Sequence, residues 1–156
     1  MSLHPKALAV QEALHAAGVD AQVRELPDST RTAPEAAAAV GVGVAQIVKS
    51  LVFLAGDELV VALVSGANRA SVPKMTTAVG APLRQADAVT VKERTGYAIG
   101  GVAPVGQPDG TIMLVDTDLL AHEVVWAAAG TPKSVFPIAP AELVRVTGGR
   151  VLELAE

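Results

Sequence analysis

The sequence predicts a single α+β domain spanning residues 1–156 with a mainly antiparallel sheet, and three observations carry that prediction. The chain has 156 residues, 51% of them hydrophobic and 18% charged, which suits one domain that buries about two-thirds of its unfolded surface. Helix-period segments and hairpin-linked strands follow one another in mixed order. Two Phe, one Trp and one Tyr leave the core to Ala, Val and Leu, whose small side chains allow close backbone contacts.

Taken in order, Leu8, Val10, Leu14 and Ala17 recur at helical spacing after Pro5, and Gly18 stops that helix. Residues 21–26 partly alternate and end at Pro27, which reads as an edge strand. Thr32-Ala33-Pro34-Glu35 is a capping box with proline in the first turn, opening a helix through Ala39 that Gly41 and Gly43 break. Ile47–Ala55 and Glu58–Ser65 are β-rich runs joined by Gly56-Asp57, hence a hairpin. Ser71 with Pro73 starts a helix ending near Gly80, and Asp87 caps another that closes at Gly96. A glycine-rich loop runs from Gly96 to Gly110. Strands are expected at 111–115, 124–128 and 135–138, a last helix at 141–146, and a returning strand at 150–154.

Composition narrows the function. Twelve basic against sixteen acidic residues give −4, so no global basic field exists to hold a long nucleic acid, although contact with one end stays open. The absence of cysteine removes disulfides, thiolate metal sites and a Cys nucleophile, and fits a reducing cytosol. Met1–Lys6 lead into an amphipathic stretch that does not read as a signal peptide, and no apolar run is long enough to span a membrane. A cytoplasmic protein is expected. His4, His15 and His122 lack ligand spacing, no phosphate-binding Gly-Lys-Ser/Thr occurs, and Ser65-Gly66 lacks the glycines of a nucleophile elbow. No metal or other cofactor is expected.

Three features stand out. Lys49 interrupts an otherwise apolar strand; it either guards an edge, reaching solvent, or rises from a cleft floor to meet an anion. The segment 95–106 is either an ordinary connection or a loop whose backbone N–H groups approach a ligand. Arg69, Lys74, Arg84, Lys92 and Arg94 outnumber Asp87 and Glu93, as on a solvated helix face or a surface touching phosphates.

Together these segments resemble the YbaK/prolyl-tRNA synthetase editing-domain family over nearly the whole chain. The resemblance rests on Lys49 in its strand, Ser65-Gly66 after the hairpin, Thr95-Gly96-Tyr97 and the Gly-x-x-x-Pro loop Gly100-Gly101-Val102-Ala103-Pro104, with Val124 to Gly130 matching later. It implies a sheet forming a partly closed barrel flanked by helices, and an aminoacyl-tRNA deacylase that acts in trans, without metal or protein nucleophile. Lys49 corresponds to the family's essential lysine, which holds the acceptor end, and Gly100 to Pro104 to the loop that positions the ester. Thr30, Ser65, Asn68, Tyr97 and Ser134 are the further substrate contacts expected, Tyr97 either lining the ester site or packing beneath the loop. The implied partners are the aminoacyl-tRNA acceptor end and prolyl-tRNA synthetase.

An activated ester needs mainly orientation and stabilisation of its oxyanion, so a sparse site is chemically adequate. A small apolar pocket would act as a second sieve. The segment 131–136 lacks the aspartate of cysteinyl-specific members and the histidine of synthetase-embedded domains, which speaks against both of those specificities. His122, Asp116 and Asp118 read as caps and turns, and Trp126 as core. A non-catalytic tRNA- or synthetase-binding module and a hydrolase of small aminoacyl esters are the alternative functions.

Overall fold

The computed structural model describes residues 3–26 and 32–156. Helix α1 (Pro5–Ala16) opens at His4, whose ring accepts the Lys6 N–H, with proline in the first turn. Its buried stripe is Ala7, Val10 and Leu14. Leu8, expected in that stripe, is 43% exposed, because the helix phase that buries Ala7, Val10 and Leu14 at i, i+3 and i+7 turns it outward. Helix α2 (Ala33–Val40) begins with the expected capping box: Thr32 Oγ1 accepts from the Glu35 N–H at 3.3 Å and donates to the Glu35 carboxylate at 3.1 Å.

The hairpin forms as its turn chemistry requires. Strand β2 (Val48–Ala55) pairs with β3 (Glu58–Ser65) in a register that sets Val48 opposite Ser65, Lys49 opposite Val64 and Ala55 opposite Glu58. Strand β3 is central and buried on both faces; only Glu58 is exposed. Val61 and Leu63 face the main core with α1, Phe136 and Leu143, whereas Val60, Ala62 and Val64 face Met75, Leu114 and Leu154. This hairpin is the spine of the fold.

Around it, β5 (Ile112–Asp116) runs parallel to β3, β8 (Arg150–Leu152) parallel to β5, and β4 (Arg84–Gln85) antiparallel to the far end of β2. A second sheet sets β7 (Ser134–Ile138) between β1 (Arg24–Glu25) and β6 (Val125–Ala128), all antiparallel. Helices α3 (Val72–Val79), α4 (Ala88–Thr95) and α5 (Pro140–Thr147) flank the sheets; α3 and α4 start from Ser71 and Asp87 caps. Among the described residues, four of the six strand pairings are antiparallel, in keeping with the expected α+β class.

The expected barrel closure does not occur. The sheets, of three and five strands, touch through an isolated parallel bridge between Ile47 and Trp126. Closure needs long edge ladders to pair, and β1 and β4 have two residues each while β8 has three. The sequence reading also missed β4, which is too short to show a period. No described helix is long and apolar enough to cross a membrane.

Candidate functional site

A cavity of about 280 Å³ opens at the seam between the two sheets. Its floor is Ile47 and β2 from Val48 to Leu51; β6 and β7 contribute Trp126, Ala127, Ala128, Ser134 and Val135. The start of α2 supplies Thr32, Ala33 and Ala36, and the glycine loop supplies Ile99, Gly100 and Val102 beside Pro132. Most of this wall is apolar. Among the described lining residues there is no carboxylate and no imidazole.

Lys49 is the one lining cation among the described residues. Alternation along β2 puts it on the Leu51 and Phe53 face, near the end of the hairpin. Its ammonium donates to the main-chain carbonyl of Asn68. No described carboxylate pairs with it. Burial without a counter-charge holds its pKa below the ordinary 10.5, because desolvation penalises the cation. An ammonium carries three donors and Asn68 takes one. The others are free for an anionic or carbonyl oxygen.

The hairpin end that presents Lys49 is tightly built. Ser65 Oγ donates to Ala45 O at 2.8 Å and the Gly66 N–H to Ile47 O at 2.7 Å. A Cβ on Gly66 would lie 2.5 Å from Val44 O and 2.9 Å from the Ala33 methyl, so only glycine lets α2 and the 44–46 turn lie against the strand end. Ser65-Gly66 thus carries the segment leading into Lys49.

The glycine loop is packed down rather than free. A Cβ on Gly101 would stand 2.8 Å from Thr131 Cα and C, and that close approach seats the loop on the 131–134 turn. The Gly101 N–H closes a turn onto Ala98 O at 2.9 Å. Val102 and Ala103 are buried. Tyr97 donates its hydroxyl to Val105 O at 3.1 Å and lies half-buried beneath the loop, and burial raises its phenol pKa above the ordinary value.

The sequence-derived site residues therefore separate. Lys49, Gly100, Val102 and Ser134 meet at the cavity. Ser134 is 1% exposed, with its Oγ 2.7 Å from Thr131 Oγ1. Gly101 and Ala103 support the lining from behind, and Pro104 borders a second cavity of about 250 Å³. Ser65, Asn68 and Tyr97 are absent from the wall. Thr30 lies outside the described residues.

Two lining residues were missed by the sequence reading. Ser50 Oγ is buried and has no hydrogen-bond partner, a state that buried hydroxyls rarely tolerate. Its signal was its place as the lone hydroxyl in an apolar strand, next to Lys49. Trp126, expected in the core, is half-buried on the cavity wall, with the Arg24 guanidinium 5.5 Å from its ring centre. It bridges to Ile47 at the seam and packs against the small cluster of Ala36, Ala37 and Ile47.

The model of the aminoacyl-tRNA editing domain matches residues 27–146, which take in Lys49, the glycine loop and Ser134. This chain belongs to the aminoacyl-tRNA editing domain family. The expected resemblance is thereby met. A crystal structure described as that of a candidate trans-editing enzyme for prolyl-tRNA synthetase is 51% identical, covers 99% of both chains and superposes with a TM-score of 0.94. The hypothetical protein APE2540 is 34% identical, with 94% of this chain and 99% of that one covered and a TM-score of 0.88. YwhH of Bacillus subtilis (strain 168), an uncharacterized protein, is 30% identical over 130 residues, 83% of each chain. Membership in the editing-domain family thus accompanies a fold shared along nearly the full length.

Proposed function

We propose that this chain hydrolyses the ester of mischarged aminoacyl-tRNA in trans, removing a small non-cognate amino acid from tRNA for proline. The observation that carries the reading is a desolvated ammonium with free donors on the floor of a small apolar cavity that has no described carboxylate or imidazole. Such a site can work by binding and orienting, and the lysine need not transfer a proton. Lys49 holds the acceptor end, the Gly100–Pro104 loop holds the ester against it, and the terminal ribose hydroxyl helps activate the attacking water. Water oxygen bonds to the ester carbon, the bond to ribose oxygen breaks, and that oxygen takes the proton as the amino acid leaves. Orientation and charge stabilisation suffice for an ester already activated.

Small-molecule pockets usually measure about 300–1,000 Å³, so a cavity of about 280 Å³ suits a small side chain and acts as the second sieve. Family membership and the candidate trans-editing relative support the same reading. A net charge of −4 is compatible with it, because only the acceptor end is gripped. Prolyl-tRNA synthetase, working in the cytoplasm, is the partner that would supply the substrate.

The test is deacylation of tRNA for proline charged in turn with Ala, Cys, Ser, 2-aminobutyrate and Pro, by wild type and Lys49→Ala. Turnover of one or two small non-cognate esters, lost in the variant, is expected. Binding of tRNA with no turnover of any ester refutes the reading in favour of a binding module. Turnover of small aminoacyl esters that uncharged tRNA does not inhibit refutes it in favour of a small-ester hydrolase.

A further inference from the structure

The side-chain amide nitrogen of Asn68 is engaged away from the cavity. Its Nδ2 donates to Asp116 Oδ2 at 2.8 Å and to Asp118 Oδ2 at 2.6 Å, which uses both of its hydrogens. The same residue's carbonyl oxygen accepts from the Lys49 ammonium. Asp116 is 1% exposed at the end of β5, and its other oxygen, Oδ1, accepts from the Asp118 and Leu154 N–H groups at 3.4 Å each. The carboxylate is thus tied at both oxygens to three separate segments.

We propose that Asn68 is a positioning residue: clamped between Asp116 and Asp118, it fixes the carbonyl that holds Lys49 at the cavity floor. This rests on the role proposed above for Lys49. The physical need is plain. A lysine side chain has about 2 kcal/mol of rotamer freedom to lose, and fixing it before substrate arrives removes that cost from binding. The carbonyl lies in the turn after β3, where the Asn68 N–H bonds back to Ser65 O at 2.9 Å. Beyond that bond, two carboxylates at the exit of β5 anchor the side chain of this turn residue and so help to keep its carbonyl aimed.

The bonding pattern dictates an order of substitutions. Asn68→Asp keeps the shape but loses both donors and places a third carboxylate against two. Asp116→Asn also fails, because both Asp116 oxygens accept and an amide offers one acceptor. Asp118→Asn costs less, since a rotated amide still presents its oxygen to Asn68.

The experiment measures kcat/KM for the mischarged tRNA turned over by wild type, together with the hydrogen-exchange rate of the Lys49 ammonium by NMR and the urea midpoint. Asn68→Asp and Asp116→Asn are expected to lose roughly 10- to 100-fold in kcat/KM, the scale of an unsatisfied buried partner. Asp118→Asn should lose less. Ammonium exchange should quicken in the same order. In Lys49→Ala, where turnover is lost, the Asn68→Asp change should cost nothing further in affinity for the acceptor end, because both act through one group. Should Asn68→Asp unfold the chain, the exposed Asp118→Ala gives the same reading with a smaller loss. Wild-type kcat/KM and wild-type ammonium exchange in Asn68→Asp would overturn the clamp, as would a loss of acceptor-end affinity that adds to that of Lys49→Ala. Full activity in Lys49→Ala would instead sink the anchoring role of Lys49, while the exchange rates would still decide whether Asn68 holds it.

Discussion

Replacing Gly101 by alanine puts one methyl group where the backbone of Thr131 already stands. The new Cβ would lie 2.8 Å from both Cα and C of Thr131, against the roughly 3.5–4.0 Å at which carbon atoms settle. Gly101 is not among the glycines with positive φ, so alanine meets no torsional penalty and the contact alone sets the cost. Relief requires the loop and the 131–134 turn to part by about 1 Å, and overpacking of that kind costs about 1–3 kcal/mol. The same movement shifts Gly100 and Val102 on the cavity wall. Displacing catalytic groups by about 1 Å can reduce rates by about 10²-fold, so activity should fall further than stability explains. Urea unfolding gives the first quantity and single-turnover deacylation the second. A Gly101→Ala protein within twofold of wild type in rate, whatever its stability, would refute the view that this contact sets the loop's position.

Four further outcomes follow from the same geometry. Activity should decline on the alkaline side through a pKa below the ordinary lysine value of 10.5, because desolvated Lys49 must stay protonated to hold an anion; Lys49→Arg, if active at all, should move that limb upward in a pH–rate profile corrected for spontaneous ester hydrolysis. The sign for stability is opposite: the unfolded chain binds the proton more tightly, so folding free energy attributable to Lys49 rises as pH climbs from its lowered pKa to 10.5, and Lys49→Met should raise the urea midpoint while abolishing turnover. Ser50→Ala removes a buried hydroxyl without a partner, so stability should hold or rise by up to about 1 kcal/mol while kcat/KM falls if that hydroxyl meets the substrate. Phe136→Ala, at a fully buried position, should cost about 3–5 kcal/mol in chemical denaturation.

Much of this arrangement is written in short stretches of sequence. The β2–β3 hairpin, the Thr32 box, the Ser71 and Asp87 caps and the glycine stops were legible because neighbouring residues supply their hydrogen bonds. Lys49 was legible because a charge in an apolar strand needs an explanation. Other features depend on distant partners. Strand β4 has two residues and exists because Phe53 and Leu54 offer it an edge. Trp126 looked like core because its half-buried place beside the cavity depends on where two sheets meet, at its bridge to Ile47. Asn68 reads as a polar contact, yet what Lys49 meets is its backbone carbonyl, and a carbonyl leaves no mark in a residue pattern.

The seam itself has a consequence for how such a site can change. Opposite walls of the cavity belong to different sheets, joined among the described residues at one bridge between Ile47 and Trp126. Its width is therefore a packing variable, set by how β6 and β7 sit on the shared core through residues such as Phe136 and Ile138. Exchanging a methylene there resizes the chamber without altering a single group that faces its occupant. Selectivity for one side chain over another can thus drift through mutations that look, from inside the chamber, like nothing at all.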